Sequence, residues 1–132
     1  MDKYEISRKF EKCAPLELAE SWDCSGWCVD SSVSEIKKIM LCLTVTDDIV
    51  KQAKEQNCQM IISHHPLFFV PLTWKDINIY SAHTNMDRAE GGTTDTLIKF
   101  LGLEKSCNIG DFLRLVILDK ETDIKDFVNL LK

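Results

Sequence analysis

Four residues carry the chemistry that this sequence could perform: His64 and His65, side by side, and His83 and Asp87, some twenty residues further on. Neutral imidazole is the commonest biological metal ligand, and a carboxylate can bridge two ions. The histidine pair follows the apolar run Met60-Ile61-Ile62 and precedes Pro66. Such a run, β-branched and apolar on both faces, reads as a buried strand. Pro66 has no N–H for a sheet ladder, so the strand must end by His65. Both imidazoles then lie at the carboxyl end of a strand, the rim where open α/β sheets bind ligands. Adjacent residues of a regular strand point to opposite faces. The pair is therefore expected to serve two neighbouring ions rather than chelate one. The plainer alternative is two surface histidines beside a turn.

The second cluster, His83-Thr84-Asn85-Met86-Asp87, follows the apolar segment Ile77–Ala82. If both strands are parallel, the two clusters face one crevice. His83 can then act as a ligand, a proton carrier or a partner that orients a ligand. Thr84 and Asn85 are expected to hold the turn through local backbone bonds. Ser63 precedes the histidines, but no G-x-S-x-G elbow surrounds it, which argues against serine hydrolysis. Gly91-Gly92, ahead of a helix, can bind phosphate at the helix start or simply make a turn, and the turn is the stronger expectation.

The elements that must position these residues follow from spacing. Ile6, Phe10 and Cys13 form one stripe on a helix over residues 3–13. Pro15 ends it and opens a short helix at 16–21. Residues 22–27, with two tryptophans, read as a loop that covers the core edge or walls a pocket. Residues 38–45 are apolar on both faces and are expected to form a central strand. Thr46 caps a helix that runs to about Asn57. Residues 38–64 are thus a β-α-β unit, which implies a parallel pair. An apolar loop covers 66–76. A helix spans about 94–101, with Gly102 closing it. A further strand covers 112–118, and Thr122 caps a last helix, ending at Lys132, with Ile124, Phe127, Val128 and Leu131 on one stripe. The expected architecture is one α/β domain over residues 1–132, with a mixed, largely parallel sheet and flanking helices.

The 132 residues carry a net charge of −5, so no nucleic-acid footprint is expected. No apolar stretch reaches the ~20 residues of a membrane span, and the N-terminus lacks a signal-peptide core. The six cysteines are accordingly read as reduced, in a cytoplasmic protein. Cys24 and Cys28 have no second pair with which to build a zinc knuckle.

Trp22-Asp23-x-Ser25-Gly26, Ser63-His64-His65-Pro66-Leu67-Phe68-Phe69 and Ser81-Ala82-His83-Thr84-Asn85-Met86-Asp87, in this order, resemble the NIF-three-like dinuclear-metal family. Its members are commonly called GTP cyclohydrolase 1 type 2 homologs. The resemblance covers nearly the whole chain, up to the segment 112–132. It implies an α/β fold with mixed sheets, a toroidal homo-oligomer and a two-metal centre. By the same resemblance His64, His65 and Asp87 are metal ligands; His83, close to Asp87 in sequence, is separately expected to serve as the catalytic general base or an orienting partner. The metals implied are divalent: zinc, iron, manganese or nickel, two per complete site. The implied substrate is a small molecule, a nucleotide or pterin-like compound, and the reaction a hydrolysis. This sequence departs from the pattern at Cys24, where Asn is usual, and at Trp27, where an aliphatic residue is usual. Family members are longer, and a C-terminal H-x-x-x-E pair completes their site. Here the three histidines are 64, 65 and 83, so the chain resembles the family's N-terminal half. Two functions follow as expectations: a metal-dependent hydrolase, or a non-catalytic metal-binding or interaction domain with half of the metal site.

Overall fold

The computed structural model describes residues 1–103 and 106–131; Lys132, the expected end of the last helix, lies outside them. The elements are α1 (Lys3–Cys13), β1 (Gly26–Val29), β2 (Ile39–Cys42), α2 (Asp47–Glu55), β3 (Met60–Ser63), β4 (Asn78–Ser81), α3 (Thr84–Arg88), α4 (Thr93–Phe100), β5 (Ser106–Ile109), β6 (Leu113–Val116) and α5 (Ile124–Leu130).

Four strands form one sheet in the order β1-β4-β3-β2. β2, β3 and β4 are parallel, and β1 pairs antiparallel with β4. The mixed, largely parallel sheet is therefore as expected, and so is the β2-α2-β3 unit. The period-2 alternation of side chains sorts the core. Ile61 and Ile79 face one side, with Val50 and Ala53 of α2 and the ring of Trp74. Met60, Ile62 and Tyr80 face the other, where Ile6 of α1 packs and Phe10 and Trp27 lie against the cluster. The helix starts follow their caps. Asp2 accepts from Tyr4 N at 2.9 Å, and Thr46 from Ile49 N at 3.3 Å. Asn57, at φ 56°, ends the α2 segment, a backbone position that Asn tolerates better than most residues.

Several expectations are corrected. β2 is an edge strand, not a central one. Its continuous apolar run reflects a strand whose second face stays open, with Leu41 73% exposed. Residues 26 and 27, expected at the end of the 22–27 loop, instead open a strand over 26–29, because β4 supplies a partner that no local pattern reveals. Gly26 begins it at φ 108°, where its missing Cβ is what the backbone requires. The helix after Pro15 is only a single 3₁₀ turn, Leu16–Leu18. Residues 84–88 are helical, too short for a periodic signal. The strand expected at 112–118 lies outside the main sheet and pairs with β5 in an antiparallel hairpin. The cap of α5 is Asp123, which accepts from Lys125 N; the Thr122 hydroxyl donates to Lys120 O instead.

The hairpin is tied to the rest through charge. Arg88 reaches Leu18 O, Glu20 and Asp111, and stacks on Phe112. Arg114 Nε donates to Asp95 in α4 at 2.6 Å. No helix among the described residues is long and apolar enough to cross a membrane.

Candidate metal centre

The parallel register aligns Cys42, Ser63 and Ser81 at one rim. The backbone ladder runs one step past the strands: His64 N donates to Cys42 O, His65 N to Leu43 O, and Ala82 N to Ser63 O. The two histidine clusters thus emerge side by side. One ligand nitrogen from each of His64, His65 and His83 lies within 4.8 Å of the others. Ring centroids are 5.0–5.8 Å apart. The expected divergence of His64 and His65 does not occur, because regular alternation stops at Ser63, where the strand ends.

Each ring is held at Nδ1. His64 Nδ1 faces Ala82 O at 3.0 Å. His83 Nδ1 faces Asp23 Oδ1 at 3.0 Å. Both oxygens only accept, so both rings carry a proton on Nδ1, and each ring in its neutral form presents Nε2 as a lone pair. His65 Nδ1 faces the Thr44 hydroxyl at 2.7 Å, a partner that suits either tautomer. Metal-ligating histidines are characteristically held in this way, with the second nitrogen engaged by a carbonyl, carboxylate or hydroxyl. The donor set therefore fits a divalent cation. Asp87 stands next to it. Its Oδ2 is 3.7 Å from His64 Nε2, beyond hydrogen-bond distance, and its Oδ1 accepts from the Thr93 hydroxyl at 2.7 Å.

Asp23 is the residue whose role the sequence left unread. Its side chain is fully enclosed. Oδ1 accepts from His83 and from Cys24 N at 2.7 Å. Oδ2 accepts from the Ser25 hydroxyl at 2.8 Å, from Thr84 N at 3.1 Å and from the Thr84 hydroxyl. Burial alone would raise its pKa, but the hydrogen bonds from Thr84, Ser25 and His83 outweigh it and hold the carboxyl well below the usual carboxylate range. The one available signal was an acid followed by Ser and Gly in a motif with no periodicity. Thr84 and Asn85 do hold the turn, but through distant partners rather than their own backbone: Thr84 Oγ1 also accepts from Glu20 N, and Asn85 Nδ2 donates to Ala14 O.

The remaining candidates resolve simply. The buried Ser63 hydroxyl donates to His65 O, so it braces the pair. Gly91 N–H is taken by Asp95, which makes Gly91-Gly92 a turn. Trp27 covers the core edge against Tyr80, whereas Trp22, 61% exposed, stands edge-on to His83. A groove of about 500 Å³ opens beside the histidines, lined by Phe10, Leu43, Ile62, Met86 and Thr93 among others.

The model of the Duf34/NIF3 (NGG1p interacting factor 3) family matches residues 1–132. The GTP cyclohydrolase 1 type 2 homolog of Clostridium perfringens is 35% identical, over 97% of this chain and 58% of its own length. NIF3-like protein 1 of Drosophila melanogaster is 36% identical, over 74% of this chain and 39% of its own. Among solved structures, reduced HcgD from Methanocaldococcus jannaschii superposes with a TM-score of 0.83 at 28% identity, over 98% of this chain and 58% of that one. A Bacillus cereus protein related to NIF3 gives a TM-score of 0.70 at 32% identity, over 80% and 34%. The chain thus spans between about a third and three-fifths of the length of these relatives.

Proposed function

Because the chain belongs to the Duf34/NIF3 family, we propose that it binds divalent metal and forms one part of a dinuclear hydrolytic centre acting on a nucleotide or related small molecule. The observation that carries this reading is the trio of imidazoles with ligand nitrogens within 4.8 Å of one another. Imidazole and carboxylate donors together suit zinc, iron, manganese or nickel. What a bound cation supplies is Lewis acidity and a water of lowered pKa.

The chain's own residues divide the work. His64 and His65 hold metal through the nitrogens that their neighbours leave free. Asp87, steadied by Thr93, adds negative charge and is suited to bridging. His83, locked by Asp23, has Nε2 as its free nitrogen when neutral and can then take a proton from water as a general base. A second reading has a specific observation in its favour: the closeness of all three rings suits His83 as a third ligand. One aspartate is little negative charge for two cations, so this chain alone is expected to hydrolyse slowly or not at all. In that case it serves as a non-catalytic metal-binding or interaction domain.

Elemental analysis and calorimetry on the wild type and on His64→Ala/His65→Ala test the site. Metal is expected in the first and lost from the second; equal content in both would sink the proposal. His83→Ala separates the two roles of that residue, since a ligand takes metal with it and a base does not. A screen with GTP and model esters, in zinc, manganese or iron, tests the chemistry. Fast turnover that disappears in Asp87→Ala would show that this half of the centre suffices.

We also propose self-association. Phe68, Phe69 and Leu72, in the segment that follows His65, are 75–80% exposed, and large apolar patches mark interfaces. Light scattering is expected to give a mass above 15.1 kDa; a clean monomer at high concentration would count against it.

A further inference from the structure

We infer that Asp23 is the positioning residue of the histidine cluster: its enclosed carboxylate fixes the tautomer and orientation of His83 and anchors the 22–25 loop to the turn that carries His83 and Asp87. The inference rests on the metal-centre reading for its consequence, metal affinity, but not for its first readout, the state of the ring.

The geometry is over-determined. Each oxygen of Asp23 accepts a backbone N–H, Cys24 N on Oδ1 and Thr84 N on Oδ2. Ser25 then closes the network: its hydroxyl donates toward Asp23 Oδ2 and lies 3.0 Å from Asn85 Oδ1, while it accepts His83 N–H at 3.2 Å. An isosteric asparagine cannot stand in for the acid. With its amide nitrogen at the Oδ1 position it meets Cys24 N–H, donor against donor, and faces His83 with a donor too. With the nitrogen at the Oδ2 position it meets Thr84 N–H. Both oxygens must accept, so only a carboxylate serves. The site thereby selects the Nδ1–H tautomer of His83, the one less favoured in a free imidazole. Nε2 is left as the lone-pair atom, in a ring whose centroid is 5.0 Å from that of His64 and 5.8 Å from that of His65. Nothing else in the described contacts engages His83 Nδ1.

The test uses the full 132-residue chain, labelled with ¹⁵N-histidine, at a pH where the rings are neutral. Long-range nitrogen–proton spectra are expected to show His83 as Nδ1–H in the wild type. In Asp23→Asn, the Nε2–H form should appear, and zinc or manganese affinity measured by calorimetry should fall about 10–100-fold. Circular dichroism checks the fold. Should Asp23→Asn not fold, Ser25→Ala keeps the carboxylate and removes one anchor, and an affinity loss of up to about tenfold is expected. A wild-type His83 protonated at Nε2 would overturn the inference. So would a folded Asp23→Asn with unchanged tautomer and affinity, or a Ser25→Ala that matches the wild type in both. If the wild type binds no metal but its His83 tautomer changes as stated, the metal-centre reading fails while the positioning role of Asp23 stands.

Discussion

Gly92→Ala is expected to cost ~3 kcal/mol or more of stability, at the upper end of overpacking, whereas Gly91→Ala next to it should cost about 1–2 kcal/mol. The two differ in kind. A Cβ on Gly92 would lie 1.9 Å from Met86 O and 2.8 Å from Ala89 O. Both are backbone atoms, so no side chain can turn aside. The connection between α3 and α4 would have to move. Gly91 has φ 73° but nothing within 4 Å of its Cβ position, so alanine there meets only backbone strain. The damage at Gly92 should also reach the site. Met86 precedes Asp87 and Thr93 follows Gly92, and those two are joined by a 2.7 Å hydrogen bond. Chemical denaturation of both variants measures the difference. A Gly91→Ala as damaging as Gly92→Ala would mean that the turn is built otherwise.

The second large effect is expected at Asn78, which is wholly buried in the first position of β4. Its Oδ1 accepts from Ser31 N at 3.1 Å, and its Nδ2 donates to Val33 O at 2.9 Å and Gln59 O at 3.1 Å. The side chain therefore replaces the missing partners of the segment that leads from β1 to β2. Asn78→Leu, similar in volume, would leave Ser31 N–H and Val33 C=O without it. Ser31 is buried and Val33 half-buried; an orphaned buried group costs about 1–3 kcal/mol and a half-buried one less, so a loss of about 2–4 kcal/mol is expected. Asn78→Asp should not rescue, since a carboxylate oxygen would then face two carbonyl oxygens. Thermal melts decide; a Leu variant within ~1 kcal/mol of wild type would mean that water or a shifted loop satisfies both groups.

Where the sequence was readable, local physics coincided with tertiary structure. Met60-Ile61-Ile62 is apolar on both faces because both faces are covered. The same pattern misleads at Ile39–Cys42, since an apolar run reports what a strand would bury, not where it sits in the sheet. Gly26–Val29 could not be recognised from within, because its strand character comes from Ser81, Tyr80 and Ile79 across the chain. In the site, the histidines were visible as residue types at a strand end. Their convergence was not, because it depends on where β3 stops and on hydrogen bonds to Ala82, Thr44 and Asp23. Asp23 stood in plain view within a motif, yet nothing local marks a carboxylate as enclosed.

The staples of the 22–25 loop have a consequence for how the chain folds. Ser25–Asn85, His83–Asp23 and Thr84–Asp23 contacts join residues 60 or 61 positions apart.

 Loop-closure cost grows with the logarithm of that separation, about 0.6 kcal/mol for each doubling. Three bonds that share one closure meet this cost once, which favours their forming together. The closure is the one that also pairs β1 with β4, since Gly26 lies opposite Ser81. The cluster is thus a non-local structure whose closure is shared with the sheet it crowns. An ion that binds only the assembled cluster would draw the chain toward its fully docked state by mass action, so occupancy and docking of this loop would be linked equilibria.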